Sequence, residues 1–268
     1  MEKAIPPDVS KVGVKGVLRQ KYDDSFYFIS FLLEVVKQSI AFYRNRKITR
    51  LVLFRQILFT GFEALGLISL IAIAIGAIII IEGNSVLSGF TRSKIFYTIF
   101  VSIVTRELSC LLTAIIIIAR SGTAISTELG YMVVNHEIDA LLSFGISPIS
   151  YLIVPRVLGV LISIITLSIY FNALATFSGW IISNLFYPTE LKDYFIGIFS
   201  ELTFLDIISS TLKSVIFGFL IAIVSCYEGL KVLHASTEVP QRTIKAVVRS
   251  LTLIILADAV ITALLYFS

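Results

Sequence analysis

The chain has 268 residues, of which 57% are apolar and only 15% charged, and its mean hydropathy is +0.93. A soluble domain of this size could not cover its surface with so few polar side chains, so the composition indicates an all-α integral membrane protein. The net charge of +4 is unevenly spread: 11 of the 22 Lys and Arg lie in the first 55 residues, against five acids, which suits a cytoplasmic segment beside an anionic leaflet better than nucleic-acid binding.

Residues 1–24 are charged and mixed, with Pro6 and Pro7, and lack the basic start and apolar core of a cleaved leader, so they are expected to stay on the protein. Residues 25–43 are apolar and aromatic, but Glu34 and Lys37 interrupt them before a spanning length is reached. An interfacial helix followed by the basic cluster Arg44, Arg46, Lys47 and Arg50 fits that pattern. The chain thus divides into a basic cytoplasmic tail with an interfacial helix, 1–50, and a five-span domain, 51–268. The spans are expected at Ile57–Ile81, Phe96–Ala119, Val157–Ile182, Ile207–Cys226 and Ser250–Phe267, each near the ~20 residues that cross ~30 Å of hydrocarbon. Small residues four apart (Ala72 and Gly76; Ser214, Gly218 and Ala222; Ala259 and Ala263) allow close helix approach. Cys110 and Cys226 lie in different runs and are expected to be free thiols.

Arg120–Arg156 is the long polar connection between the second and third spans. Asn135 has the side chain of an N-cap, Glu137 and Asp139 follow where the helix dipole favours negative charge, and Gly145 and Pro148 supply a stop. Between these signals Ile138, Leu141 and Leu142 fall at helical spacing. The reading is an amphipathic helix over Asn135–Gly145 of about two and a half turns, needing an apolar partner surface.

The Arg120–Arg156 and Glu228–Arg249 connections are richer in basic residues than the other two loops, which puts the N-terminus and this amphipathic helix in the cytoplasm and the C-terminus outside. With that orientation Arg106, Glu107, Lys213 and Asp258 lie roughly 10–15 Å from the outer face, two charges of each sign in one layer. An unpaired charge there is costly, so the four are expected to pair or to line a wet path; Glu63, nearer the cytoplasm, is expected to snorkel or cap a neighbour. There is no GxxxxGK[ST] phosphate loop, and the two histidines, His136 and His234, have no Cys or His partner in sequence. No metal, cofactor or catalytic residue is therefore assigned, and the chain is read as a non-enzymatic subunit.

The run from Ala119 to Arg156 resembles the signature of MlaE-type permeases, the membrane subunits of lipid-transporting ABC systems that work with MCE-domain proteins. The matching positions are Arg120 and Gly122, Glu128 to Gly130 with Met132, Glu137 to Ala140, Pro148, and Pro155 with Arg156. Outward from it match Arg55 and Gln56, Arg106-Glu107-Leu108, Lys213-Ser214-Val215, and Asp258 with Thr262-Ala263-Leu264, so the resemblance covers about residues 50–267. Ser109-Cys110 stands where the family usually has Gly-Pro, so any proline kink there is absent. The first 45 residues carry no match and no fused soluble domain is expected among them.

The resemblance implies a homodimeric permease in a multi-pass inner-membrane location, with ABC ATPase subunits below it and an MCE-domain protein on the outer face. It also implies phospholipid cargo passing between inner and outer membranes. The substrate path would hold Arg106, Glu107, Lys213 and Asp258, and ATPase coupling would fall to Glu128, Gly130, Glu137, Ile138, Asp139, Leu141 and Leu142. The intramembrane carboxylates also admit a proton-coupled secondary transporter using Glu107 or Asp258, although no internal repeat supports it.

Overall fold

A computed structural model describes residues 27–39, 48–86, 94–186, 188, 190–233 and 235–267. Among these the ordered elements are helices, with no strand, and five of them are long and apolar enough to cross a membrane: Val52–Gly83, Lys94–Val134, Ile149–Leu185, Phe204–Leu230 and Glu238–Leu264. The chain is a multi-pass membrane protein. His234, the basic cluster at 44–47 and residues 1–24 lie outside the described residues.

Helix α1 covers 27–39. The first span is α2 (Ile48–Gly61), a single 3-10 turn Phe62–Ala64 and α3 (Leu65–Val86). The second comprises α4 (Lys94–Phe100), a π-helical stretch Val101–Leu108, α5 (Ser109–Ile117), a second π stretch Ile118–Gly122 and α6 (Thr123–Val134). After α7 (Glu137–Ser143), a π turn Ile149–Ile153 leads into α8 (Val154–Phe186). Then α9 (Leu191–Glu201) precedes α10 (Phe204–Leu230) and α11 (Glu238–Phe267).

Every span is longer than expected from sequence. The second has 41 residues, about 60 Å of helix against ~30 Å of hydrocarbon, and runs past Ala119 to Val134. Several of its polar residues are compatible with helix because they find partners. Thr123 Oγ1 donates to the Ala119 carbonyl at 2.8 Å, Arg120 pairs with Glu63, Thr127 meets Thr243 at 3.0 Å, and Arg156 Nη2 donates to Glu128 Oε1 at 2.8 Å. The connection between second and third spans therefore shrinks from 120–156 to 135–148. In the same way α11 begins at Glu238, leaving only 231–237 of the expected Glu228–Arg249 loop.

Helix α8 runs through the middle of the bundle, touching α2, α3, α5 and α10, and the third span is the most buried while the fifth is the least. The Ala72 and Gly76 pair marks a close crossing: Ala72 is buried, and a Cβ on Gly76 would collide with the Ala175 carbonyl and Ser178 Oγ of α8. The Ala259 and Ala263 pair makes no such crossing within the chain, because both are exposed on α11.

Helix α1 is fastened to the bundle by aromatic and charged groups. Phe28 and Phe31 pack on Tyr227 of α10 with centroids 5.0 and 5.6 Å away, and the Arg249 guanidinium lies 4.4 Å over Phe28. Arg249 also donates to Glu228 at 3.0 Å, with Arg242 on the other oxygen at 3.5 Å, so a nearly buried carboxylate holds α10 and α11 together.

At the opposite end of the bundle from α7, α9 is locked down by Tyr194. Its ring is fully buried among Phe96, Tyr97 and Phe195, and burial pushes the phenol's pKa well above its ordinary value. Lys94 and Thr98 meet Glu201 at 3.3 and 2.9 Å, tying the far end of α9 to α4.

Candidate functional site: an ion cluster between the spans and an exposed hairpin

Three of the four charges expected in one layer do converge. Lys213 on α10 is 1% exposed and places its ammonium 2.6 Å from Glu107 Oε2, 2.9 Å from Asp258 Oδ1 and 2.7 Å from Thr262 Oγ1. Thr262 in turn donates to Glu107 Oε1 at 3.3 Å. An ammonium has three donors, and here three oxygens face it, which is how a buried lysine stays charged without water. Asp258 and Thr262 reach it together because a spacing of four puts them on one face of α11.

Arg106 departs from the expectation. Instead of joining this cluster it pairs through Nε with Asp206 Oδ1 at 2.5 Å. Asp206 is the third residue of α10 and its other oxygen accepts from both the backbone N–H and the hydroxyl of Thr203 at 2.8 Å. That reciprocal cap is written in the sequence as Thr-Phe-Leu-Asp, a signal the span-by-span hydropathy reading passes over because it lies at a loop boundary. Arg106 and Glu107 occupy the π-helical stretch Val101–Leu108, which ends just before Ser109-Cys110. A helix irregularity therefore stands at the place where a proline kink is absent. Both thiols are free and buried, Cys110 beside Ser210 and Ser214.

The hairpin end differs from its sequence reading in start, length and apolar face. Asn135 is not the N-cap of α7 but the C-cap of α6, its N–H donating to the Tyr131 carbonyl at 2.9 Å. His136 takes the cap position in a left-handed conformation, φ 58°, without a side-chain cap, and its Nδ1 lies 3.2 Å from Asp139. Helix α7 is thus only seven residues long. Gly145 ends it as read: at φ 72° its N–H donates to Leu142 and that of Ile146 to Leu141, the paired bonds of a Schellman stop.

The expected stripe is divided. Ile138 and Leu141 are half-buried against the chain's own core, whereas Leu142 is exposed and Phe144, 81% exposed, is the most open large apolar residue among those described. Ile146 and Tyr151, further along the same connection, are exposed as well. Phe144 is invisible to a helical-periodicity search because it lies one position past the helix. Of the other proposed coupling residues, Glu137 and Asp139 are exposed. Gly130 is buried, a Cβ there standing 3.1 Å from both Val232 and Val239. Glu128 sits with Arg55, Phe59 and Arg156 on a groove of about 560 Å³ between α2, α6 and α8.

Comparison with known proteins agrees with this architecture. The family model for Permease MlaE matches residues 53–264, all five spans. A protein named as a probable ABC transporter permease of Rickettsia typhi is 31% identical over 80% of this chain and 83% of its own length. The intermembrane phospholipid transport system permease protein MlaE of Haemophilus influenzae is 23% identical over 80% of this chain and 83% of its own. The chloroplastic protein TRIGALACTOSYLDIACYLGLYCEROL 1 of Arabidopsis thaliana is 32% identical over 60% of this chain and 46% of its own. The chain belongs to the MlaE permease family and is an ABC transporter permease.

Proposed function

We propose that this chain is the permease subunit of an ATP-driven transporter that moves phospholipid between the inner and outer membranes. Two copies form the membrane unit, ABC ATPase subunits dock at the α7 end, and an MCE-domain protein meets the α9 end. The α7 end is cytoplasmic and the C-terminus periplasmic, in agreement with the distribution of Lys and Arg. The observation that carries the reading is a match to the Permease MlaE family through all five spans and to a phospholipid-transport permease over 80% of the chain, joined to an uncovered apolar hairpin in a chain without a phosphate loop. The hairpin supplies a surface for a motor, and the ion cluster supplies a polar lining between the spans for a headgroup. A proton-coupled carrier would need no such motor. Affinity purification from native membranes separates the two: an ATPase should co-purify in stoichiometric amount, and lipid transfer in reconstituted vesicles should require ATP. Transfer driven by a pH gradient without ATP would reject the permease reading.

A further inference from the structure

The arm that carries the hairpin joins the spans through two helix irregularities of the same kind. Residues 123–148, which comprise α6, α7 and the turn after it, follow the π stretch Ile118–Gly122 and precede the π stretch Ile149–Ile153. At the first junction the Thr123 N–H is shared between the carbonyls of Ile118 and Arg120, five and three residues back. The Thr123 hydroxyl meanwhile donates to the Ala119 carbonyl at 2.8 Å, so a side chain enters the backbone ladder there. At the second junction the Val154 N–H reaches five residues back to the Ile149 carbonyl, and Pro148 before that stretch has no N–H to give. Helices bend where a π turn or an inserted side chain interrupts the ladder, and both ends of the arm have such a place.

The seat of the arm on its neighbours is close and smooth. A Cβ on Gly122 would stand 3.1 Å from Ser225 Oγ, and one on Gly229 2.7 Å from the Ser126 carbonyl, so the backbones of α6 and α10 nearly touch. Ser121 and Ser126 are buried in this part of α6, and neither hydroxyl has a partner among the described residues. A buried hydroxyl without a partner is costly, so the seat leaves bonds for another position of the arm to make. Glu128 ties the arm to Arg156 of α8 at 2.8 Å, and Thr127 ties it to Thr243 of α11 at 3.0 Å. Resting on the reading that an ATPase seats on the hairpin, we propose that residues 123–148 swing as one lever about Ile118–Gly122 and Ile149–Ile153. Helix α6 turns against α10 and α11 while α5 and α8 keep their places, and the motion of the motor enters the spans at these two stretches.

The test uses the permease with its ATPase partner in lipid nanodiscs. Deuterium exchange of the unaltered complex should change at 118–122 and 149–153 when a non-hydrolysable ATP analogue is added, and stay unchanged in α5 and α8. A second arm locks the lever: Thr127→Cys with Thr243→Cys places two thiols where the hydroxyls already meet, while the native Cys110 and Cys226 are buried. The oxidised variant should keep its ATPase at full stoichiometry and lose ATP-driven lipid transfer, and reductant should restore the transfer. Transfer that persists in the cross-linked variant overturns the lever, because α6 and α11 would then move together. Absence of an ATPase from the complex overturns the docking reading as well. An ATPase that binds the analogue while exchange at the two stretches stays unchanged overturns the lever alone.

Discussion

The ion cluster and the α7 hairpin invert the usual arrangement of a folded chain in opposite ways. Between the spans, charge is buried: Lys213 and Asp206 are almost inaccessible, and each is held by a side chain from another helix. At the hairpin, apolar surface is exposed, with Leu142, Phe144 and Ile146 uncovered. The first inversion is resolved within the chain by pairing, and the second is not resolved within it. A buried charge without a partner would cost the fold, whereas an exposed phenylalanine costs little until something covers it. The cluster should therefore report on folding, and the hairpin on assembly.

The largest effect should come from removing the centre of the cluster. Lys213→Met leaves Glu107 and Asp258 facing each other without a counter-charge, and breaking a buried pair from one side costs about 3–5 kcal/mol. Thermal unfolding of the purified permease should show it as a lowered midpoint and poor yield. Adding Glu107→Gln and Asp258→Asn to Lys213→Met should recover much of the loss, and strictly additive effects would reject the coupling.

The second pair should weigh less, because Arg106 is partly solvated. Asp206→Asn removes both the ion pair and the charged arm of the α10 cap and should cost about 2 kcal/mol, while Thr203→Ala removes the cap alone and should cost about 1 kcal/mol. Equal losses for the two substitutions would mean that Arg106 contributes nothing to holding the second span on α10. At the hairpin, Gly145→Ala puts a Cβ at φ 72° with no neighbour within 4 Å, so only backbone strain is paid, about 1 kcal/mol. Its effect should appear in hydrogen exchange at Leu142 to Ile146 and leave the unfolding of the spans unchanged.

The same contrast accounts for what was legible in the sequence. The number and order of the spans were readable because hydropathy reports them directly, and Glu107, Lys213 and Asp258 could be grouped by depth because rise per residue is fixed. The ends of the spans were not readable. Arg120, Thr127 and Glu128 look like loop residues until Glu63, Thr243 and Arg156 are seen opposite them, and those partners lie 28 to 116 residues away in the chain. The partner of Arg106 was not readable for a related reason: depth fixes the height of a Cα, but a long side chain chooses between partners one turn above or below. Asn135 has the right chemistry for an N-cap, yet α6 reaches it first and the cap falls to His136. Phe144 carried no periodic signal, and only the fold reveals how far it projects.

The smallest effect on stability should accompany the largest effect on partnership. Leu141 is a poor probe of docking, because it is half-buried against the chain's own core, so a charge there would loosen the hairpin itself. Phe144→Ser avoids this. At 81% exposure the side chain has little to lose on unfolding, and surface substitutions of this kind stay within about 0.5 kcal/mol. If the hairpin is where the motor seats, a phenylalanine projecting past the helix stop, behind the Gly145 turn, has the size and exposure of an interface anchor, and truncating such an anchor costs about 2 kcal/mol or more of binding. The permease should then purify folded with an unchanged unfolding midpoint, while its ATPase partner is lost at the dilution of affinity purification, roughly a thirtyfold weakening for that energy. Glu137→Gln with Asp139→Asn provides the milder comparison, in which binding persists but becomes less sensitive to salt if those exposed carboxylates face basic residues on the motor. Retention of the ATPase at full stoichiometry by Phe144→Ser would remove the hairpin from the coupling path and leave its exposed apolar surface to another partner.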